Sequence, residues 1–289
     1  MVKYMEIIVG KNAGFCYGVK RAVQSSLEDT KSANKNLFCL GELVHNKRVV
    51  NELKNKGIKF INNIEETEGT TIIRAHGVPN TVYKYCKQNN IDIKDYTCPN
   101  VLKIHEIAEE YSKKGYYIFL LGSKNHPENI GTISFCGDNL SVIEKEEQTI
   151  KEIERFEKTG MKKILVISQT TYSLEKFYII EEIINNEIKK DVEIIVKNTI
   201  CNATEVRQKE TEEISKIVDY MIIIGGKNSS NTKKLYDIAS KNCKTAVNIE
   251  SAEELDLEEI IKYNKIGIMA GASTPQISID EVICTIENY

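Results

Sequence analysis

The sequence predicts an α/β protein of three similar modules with mainly parallel sheets, arranged pseudo-threefold around a central cavity. Three observations carry this. Short apolar runs alternate with amphipathic stretches of helical length along all 289 residues. Polar, often glycine-bearing segments follow most runs, which is where open α/β sheets bind ligands. Landmark residues also recur in register. Cys16 and Cys98 are 82 positions apart and His45 and His126 are 81, while Cys98 to Cys201, His126 to Ser229 and Thr170 to Ser273 are each 103. His76 to Thr170, at 94, fits more loosely. Such spacings exceed solenoid periods and describe repeated domains.

In chain order, Tyr4 to Val9 reads as a strand leading to Cys16, after which Val19, Ala22, Val23, Ser26 and Leu27 mark a helical face. Leu37 to Leu40 runs into Gly41-Glu42-Leu43-Val44-His45-Asn46, and Thr70 to Ile73 into Arg74-Ala75-His76-Gly77. Ile91 to Lys94 alternates like a short strand, and Pro99 suits a first helical position, placing Cys98 at or next to the N-cap. Val101 to Tyr111 continues that helix. Tyr117 to Leu121 leads to His126-Pro127-Glu128, and Ile164 to Ile167 to Ser168-Gln169-Thr170-Thr171. Glu144 to Glu147 and Lys151 to Lys163 read as solvated helix and loop surface. Val192 to Val196 precedes Cys201 and the helical pattern Ala203, Val206, Lys209, Ile214, Ile217. Tyr220 to Ile224 leads into Gly225-Gly226 and on to Asn231, and Ile266 to Met269 into Ala270-Gly271-Ala272-Ser273. Because each cysteine follows the strand that closes the module before it, the modules fall at 14–96, 97–195 and 196–289. The strand within 1–13 completes the third.

Composition narrows the function. Lys plus Arg is 39 against 42 for Asp plus Glu, a formal charge of −3 without a long basic tract, so binding to nucleic acid or to a membrane surface is unsupported. Glu6 interrupts what would be a signal peptide, and no apolar run reaches the length of a membrane span, so a cytoplasmic location is expected. Eight cysteines without a C-x-x-C pair argue for metal binding or buried thiols before disulfides.

Cys16, Cys98 and Cys201 each stand between a strand run and a helical pattern, where the positive helix end favours a thiolate and hence a metal ligand. A structural zinc site takes four ligands, often closely paired. Three widely spaced thiols suit an iron–sulfur cluster with one iron open as a Lewis acid, or else are incidental buried cysteines. Cys39, Cys86, Cys136, Cys243 and Cys284 read as small buried apolar residues. Ser229, Ser230, Asn231 and Ser273 can donate to a phosphate, and His45, His76 and His126 can neutralise one; ordinary capping suits each loop equally well, and a structural role suits any one histidine better. His105 reads as structural. Glu128, beside a bound diphosphate, would be held protonated and act as an acid, or is a first-turn glutamate favoured by the helix dipole. Arg74 and Lys227 either meet phosphates or pair with surface acids.

Taken together, these residues resemble the LytB family of 4-hydroxy-3-methylbut-2-enyl diphosphate reductases. The likeness runs through Gly14-Phe15-Cys16-x-Gly18-Val19-x-Arg21-Ala22, His45-Asn46, Arg74-Ala75-His76-Gly77, Thr97-Cys98-Pro99, His126-Pro127-Glu128 with Gly131, and Gln169-Thr170-Thr171. It continues through Thr199-Ile200-Cys201-x-Ala203-Thr204, Gly226 to Asn231, and Gly271-Ala272-Ser273. The resemblance implies a 4Fe-4S cluster with three ligands, Cys16, Cys98 and Cys201, and one open iron. It implies a substrate diphosphate among His45, His76, His126, Ser229, Ser230, Asn231 and Ser273. Thr170 and Glu128 would lie by the substrate's hydroxymethyl end, with Glu128 supplying protons, and His126 would count with them as catalytic. It further implies a two-electron reductive dehydroxylation fed by a ferredoxin or flavodoxin type donor. Tyr17 and Tyr96 depart from the family's usual alanine without removing a ligand. Two other readings are an iron–sulfur sensor or electron carrier, which leaves the polar loops unexplained, and a zinc-dependent phosphohydrolase using the histidines and Glu128.

Overall fold

The computed structural model describes residues 5–32 and 36–289; Tyr4, with which the first expected strand begins, lies outside them. The chain opens with β1 (Glu6–Val9) and α1 (Tyr17–Ser32). β2 (Leu37–Leu40), α2 (Lys47–Asn55), β3 (Lys59–Ile61), β4 (Thr70–Ile73), α3 (Asn80–Gln88) and β5 (Ile93–Asp95) follow, their strands ordered β3-β2-β4-β5. Next come α4 (Pro99–Lys113), β6 (Tyr117–Leu121), α5 (Pro127–Ile133), β7 (Leu140–Ile143), α6 (Thr149–Glu157), β8 (Lys163–Ser168), α7 (Leu174–Glu187) and β9 (Glu193–Val196), with sheet order β7-β6-β8-β9. The last stretch holds α8 (Asn202–Ser215), β10 (Tyr220–Ile224), α9 (Ser230–Asn242), β11 (Thr245–Ile249), α10 (Leu257–Ile260), β12 (Lys265–Ala270) and α11 (Gln276–Glu287). Its sheet, β11-β10-β12-β1, has the same strand order, and β1 lies parallel to β12 with Glu6 opposite Lys265. The described chain is therefore three similar four-stranded α/β modules, and the strand pairings are parallel throughout.

The inner strands are buried on both faces, which is why they read as unbroken apolar runs. In β6, Phe119 and Leu121 pack on one side with Phe156 and Phe177, while Ile118 and Leu120 pack on the other with Ile104 and Cys136. The strands that the apolar pattern does not reveal, β3, β7 and β11, occupy the same edge position in each sheet. An edge strand faces solvent along part of its length, so its residues are of mixed character, as in Lys59-Phe60-Ile61.

Two expectations are corrected. Lys151 to Lys163 is not only solvated surface, because Ile153 and Phe156 of α6 are buried against Tyr117 and Phe119. Cys284 is exposed, since α11 turns Ser278, Ile279, Val282 and Ile286 inward and position 284 falls off that face. No helix among the described residues is long and apolar enough to cross a membrane.

The chain divides into two compact units, one of Met1–Val23, Val44–Asn55 and Asn202–Tyr289 and the other of Gln24–Leu43 and Lys56–Cys201. The third sheet belongs to the former, the first two sheets to the latter.

Candidate active site

Each of the three singled-out cysteines is fixed by the same backbone device. The amide of Cys16 donates to the Ala272 carbonyl at 3.1 Å, that of Cys98 to Ala75 at 2.9 Å, and that of Cys201 to Thr170 at 3.0 Å. In every case the acceptor lies in the loop that follows an inner strand, β12, β4 or β8. Each cysteine then opens a helix. Cys98 is the N-cap of α4 with Pro99 at the first helical position, and Cys16 and Cys201 directly precede α1 and α8.

In the unit containing the first two sheets, Asp95 shapes the turn into Cys98. One of its oxygens takes both the amide and the hydroxyl of Thr97, and the other takes the Tyr83 hydroxyl at 2.9 Å. Asn198 does the same before Cys201, accepting the Ile200 amide at 3.0 Å. These are Asx-turns, in which a short polar side chain mimics a backbone turn. The two thiols share one neighbourhood, because Asn100, two residues past Cys98, reaches Cys201 Sγ at 2.9 Å.

Around them stand His76, His126, Glu128 and Thr170. The rings of His76 and His126 meet edge to face with centroids 5.5 Å apart. His126 caps α5, its Nδ1 accepting the Glu128 amide at 3.2 Å, so a neutral ring carries its proton on Nε2. Glu128, 2% exposed, has one carboxyl oxygen on the Thr170 amide and the other on the Thr170 hydroxyl, both at 2.6 Å. Burial pushes its pKa up to about 7, against the pull of the two Thr170 hydrogen bonds toward the ionised form. The Thr170 carbonyl in turn receives the Cys201 amide. An acid, a hydroxyl and a thiol-bearing residue thus form one connected line.

In the other unit, the Cys16 loop is clasped by α8. Arg207 Nη2 donates to the Gly14 carbonyl at 2.8 Å, and Glu210 accepts the amides of Lys11 and Asn12 at 2.6 and 3.0 Å. Gly14 sits at φ +93°, a conformation that glycine adopts without strain. His45 lies beside the serine loops, its carbonyl taking the Ser273 hydroxyl at 3.0 Å. Gly226 approaches that carbonyl so closely that a Cβ would stand 2.8 Å from it. Ser229 caps α9 by accepting the Thr232 amide, which leaves its hydroxyl proton free to donate. Asn231 is buried, and both ends of its side-chain amide lack a hydrogen-bond partner. Burying an amide unpaired is costly, so its position favours an incoming polar ligand. Ser230 opens α9 between them.

The remaining thiols differ in kind. Burial pushes Cys39 and Cys136 up to about 12, and raises Cys86 and Cys243, which makes them neutral packing residues. Cys16, Cys98 and Cys201 are half-buried, outside any disulfide and anchored through backbone, so their donor chemistry fits iron–sulfur ligation. His105 is buried and stacked on Phe135, and desolvation lowers its pKa to about 4. Lys227 pairs with Glu254, while Arg74 donates to the Gly77 carbonyl. The pattern of apolar runs does not reveal Asp95, Asn198, Asn129, Arg207 or Glu210. The first two carry a legible signal, an Asp or Asn three residues before a cysteine. Asn129 is fully buried, and its amide donates to the Ser123 carbonyl and to Gln169, a long-range tie with no local signature.

The sequence profile of the LytB protein family matches residues 7–287. The chain is 43% identical over 290 aligned positions to the 4-hydroxy-3-methylbut-2-enyl diphosphate reductase of Caldanaerobacter subterraneus subsp. tengcongensis, covering 98% of this chain and 97% of the relative. It resembles a solved (E)-4-hydroxy-3-methyl-but-2-enyl diphosphate reductase, the terminal enzyme of the non-mevalonate pathway, with a TM-score of 0.72 and 38% identity over 99% of this chain and 100% of that one. A Plasmodium falciparum E-1-hydroxy-2-methyl-but-2-enyl-4-diphosphate reductase aligns with a TM-score of 0.89 at 28% identity, over 97% of this chain and 87% of that one.

Proposed function

The chain belongs to the LytB protein family, and from this we propose that it catalyses the reductive dehydroxylation of 4-hydroxy-3-methylbut-2-enyl diphosphate. The products are isopentenyl and dimethylallyl diphosphate, the end of the non-mevalonate isoprenoid route, and the enzyme works in the cytoplasm. The module boundaries 14–96, 97–195 and 196–289, the last completed by 1–13, belong to the same reading. The observation that carries it is the line from Glu128 through Thr170 to Cys201.

The proposed ligands are Cys16, Cys98 and Cys201. When bound to them, a 4Fe-4S cluster supplies a Lewis-acidic open iron and a path for two electrons from a ferredoxin or flavodoxin type donor. The protein supplies the protons and the grip. The reaction consumes two electrons and two protons, one proton leaving with the hydroxyl as water and the other ending on carbon. The Thr170 hydroxyl donates to Glu128 Oε2 when that carboxyl is ionised; with Glu128 protonated, below about pH 7, the bond reverses and the Thr170 hydroxyl is free to pass its own proton to the substrate's hydroxymethyl end. His126 fixes the Glu128 backbone by accepting its amide.

At the diphosphate end, Ser229 and Ser230 offer hydroxyls, Asn231 its unpartnered amide, His45 and His76 positive charge when protonated, and His126, whose Nδ1 accepts the Glu128 amide, its Nε2–H. Ser273, which now holds the His45 carbonyl, turns its hydroxyl to the phosphate. Anaerobic protein reconstituted with iron and sulfide and given a reduced low-potential donor is expected to form both products. Fully loaded protein that forms neither would overturn the proposal, and colourless, zinc-containing protein would favour a hydrolase.

The serine loop makes a separate prediction. Ser229→Ala with Asn231→Ala should weaken inorganic pyrophosphate binding, measured by calorimetry, by roughly tenfold or more for each hydrogen bond lost to a charged group. Unchanged affinity would remove this loop from the diphosphate site.

A further inference from the structure

Asn100 is the second residue of α4, is exposed, and its side chain plays no part in the N-cap, which is Cys98. A short polar residue in a first helical turn is satisfied by water, so the direction its amide takes calls for a reason. Nδ2 lies 2.9 Å from Cys201 Sγ, across 101 positions of sequence and within one compact unit. Helical side chains lean toward the N-terminus, which aims residue 100 out over the end of α4 where Cys98 stands. An amide N–H is a donor, and a thiolate sulfur accepts. Hydrogen bonds to cluster sulfurs stabilise the more negative, reduced state and are one of the levers on reduction potential.

We propose that Asn100 is a positioning residue for the iron–sulfur centre: its amide holds Cys201 Sγ and shifts the reduction potential upward. This rests on the reading that Cys201 is a ligand. Asn100 meets the line from Glu128 through Thr170 at its Cys201 end, and its effect is electrostatic.

The experiment uses the reconstituted, anaerobic holoprotein in a mediated redox titration followed by electron paramagnetic resonance, with iron and sulfide content measured alongside. Asn100→Leu keeps the size and removes the donor; Asn100→Asp keeps the shape and puts a negative acceptor in its place. The midpoint of the leucine variant is expected to fall by about 59 mV, the one-electron equivalent of a tenfold change in the reduction equilibrium. The aspartate variant should fall further, and Asn100→Gln should recover part of the shift. A loaded leucine or aspartate variant with the parent's midpoint overturns the inference. Cys201→Ser separates it from the reading beneath it. Full iron and sulfide in that variant would defeat Cys201 as a ligand and the inference with it. Cluster loss there, with unmoved Asn100 variants, would defeat only the role of Asn100.

Discussion

Replacing Glu128 with glutamine lowers turnover about 10²- to 10⁴-fold, the range general acid–base catalysis contributes, with pyrophosphate affinity near that of the parent chain. Glutamine has nearly the same shape and keeps an acceptor for the Thr170 amide, but it has no acidic proton to release into the Thr170 hydroxyl. The pH dependence follows from the same carboxyl. Burial holds it at about 7, so the acid form is present below that value and lost as pH rises through it. Turnover of the parent enzyme should fall along this basic limb, and the glutamine variant should lack it. Stability moves in the same direction. Between the ordinary carboxyl value of 4.5 and about 7, the folded chain retains a proton that the unfolded chain has released, so stability declines as pH rises across this window. Steady-state kinetics and denaturant titrations at several pH values check both, and near-parental turnover would remove Glu128 from the reaction.

Cys98→Ser should lose most of its iron and acid-labile sulfide, and with them its activity. A serine hydroxyl is a harder ligand than a thiolate and is not ionised at neutral pH, so the proposed centre would lose one of its three proposed attachments. The fold should survive, because residue 98 is tied to Ala75 through its amide and to Leu102 through its carbonyl, neither of which involves the sulfur. Circular dichroism of the variant together with metal analysis separates loss of the ligand from loss of structure. Full cluster content in a folded Cys98→Ser protein would exclude this cysteine as a ligand.

The inner strands were legible because parallel sheets covered on both faces demand continuous apolar runs, as in Tyr117 to Leu121. Their register with the cysteines was legible for the same reason, since each strand end fixes where a loop begins. What escaped is what the edge of a sheet and long-range contacts impose. In β7, Leu140-Ser141-Val142-Ile143, a polar serine interrupts the apolar run. Phe156 was hidden inside a charged stretch because a surface helix needs few apolar residues to bury one stripe. Arg207 and Glu210 reach back almost two hundred positions to the Cys16 loop, a distance at which no local pattern speaks. Among the candidate site residues, Cys16, Cys98 and Cys201 stand apart from the other cysteines by their place between a strand and a helix. The pairing of Glu128 with Thr170 required coordinates, since nothing in either segment names the other.

The three main-chain anchors under Cys16, Cys98 and Cys201 have a consequence for the life of the enzyme. In small zinc domains the metal itself provides the energy of folding, and chelation melts them. Here the seat for each sulfur is built from peptide groups and rests on apolar layers that owe nothing to iron. Loss of the proposed cluster should therefore leave the scaffold folded, so that iron and sulfide added back to the emptied chain restore the centre without refolding, with circular dichroism before and after chelation as the check.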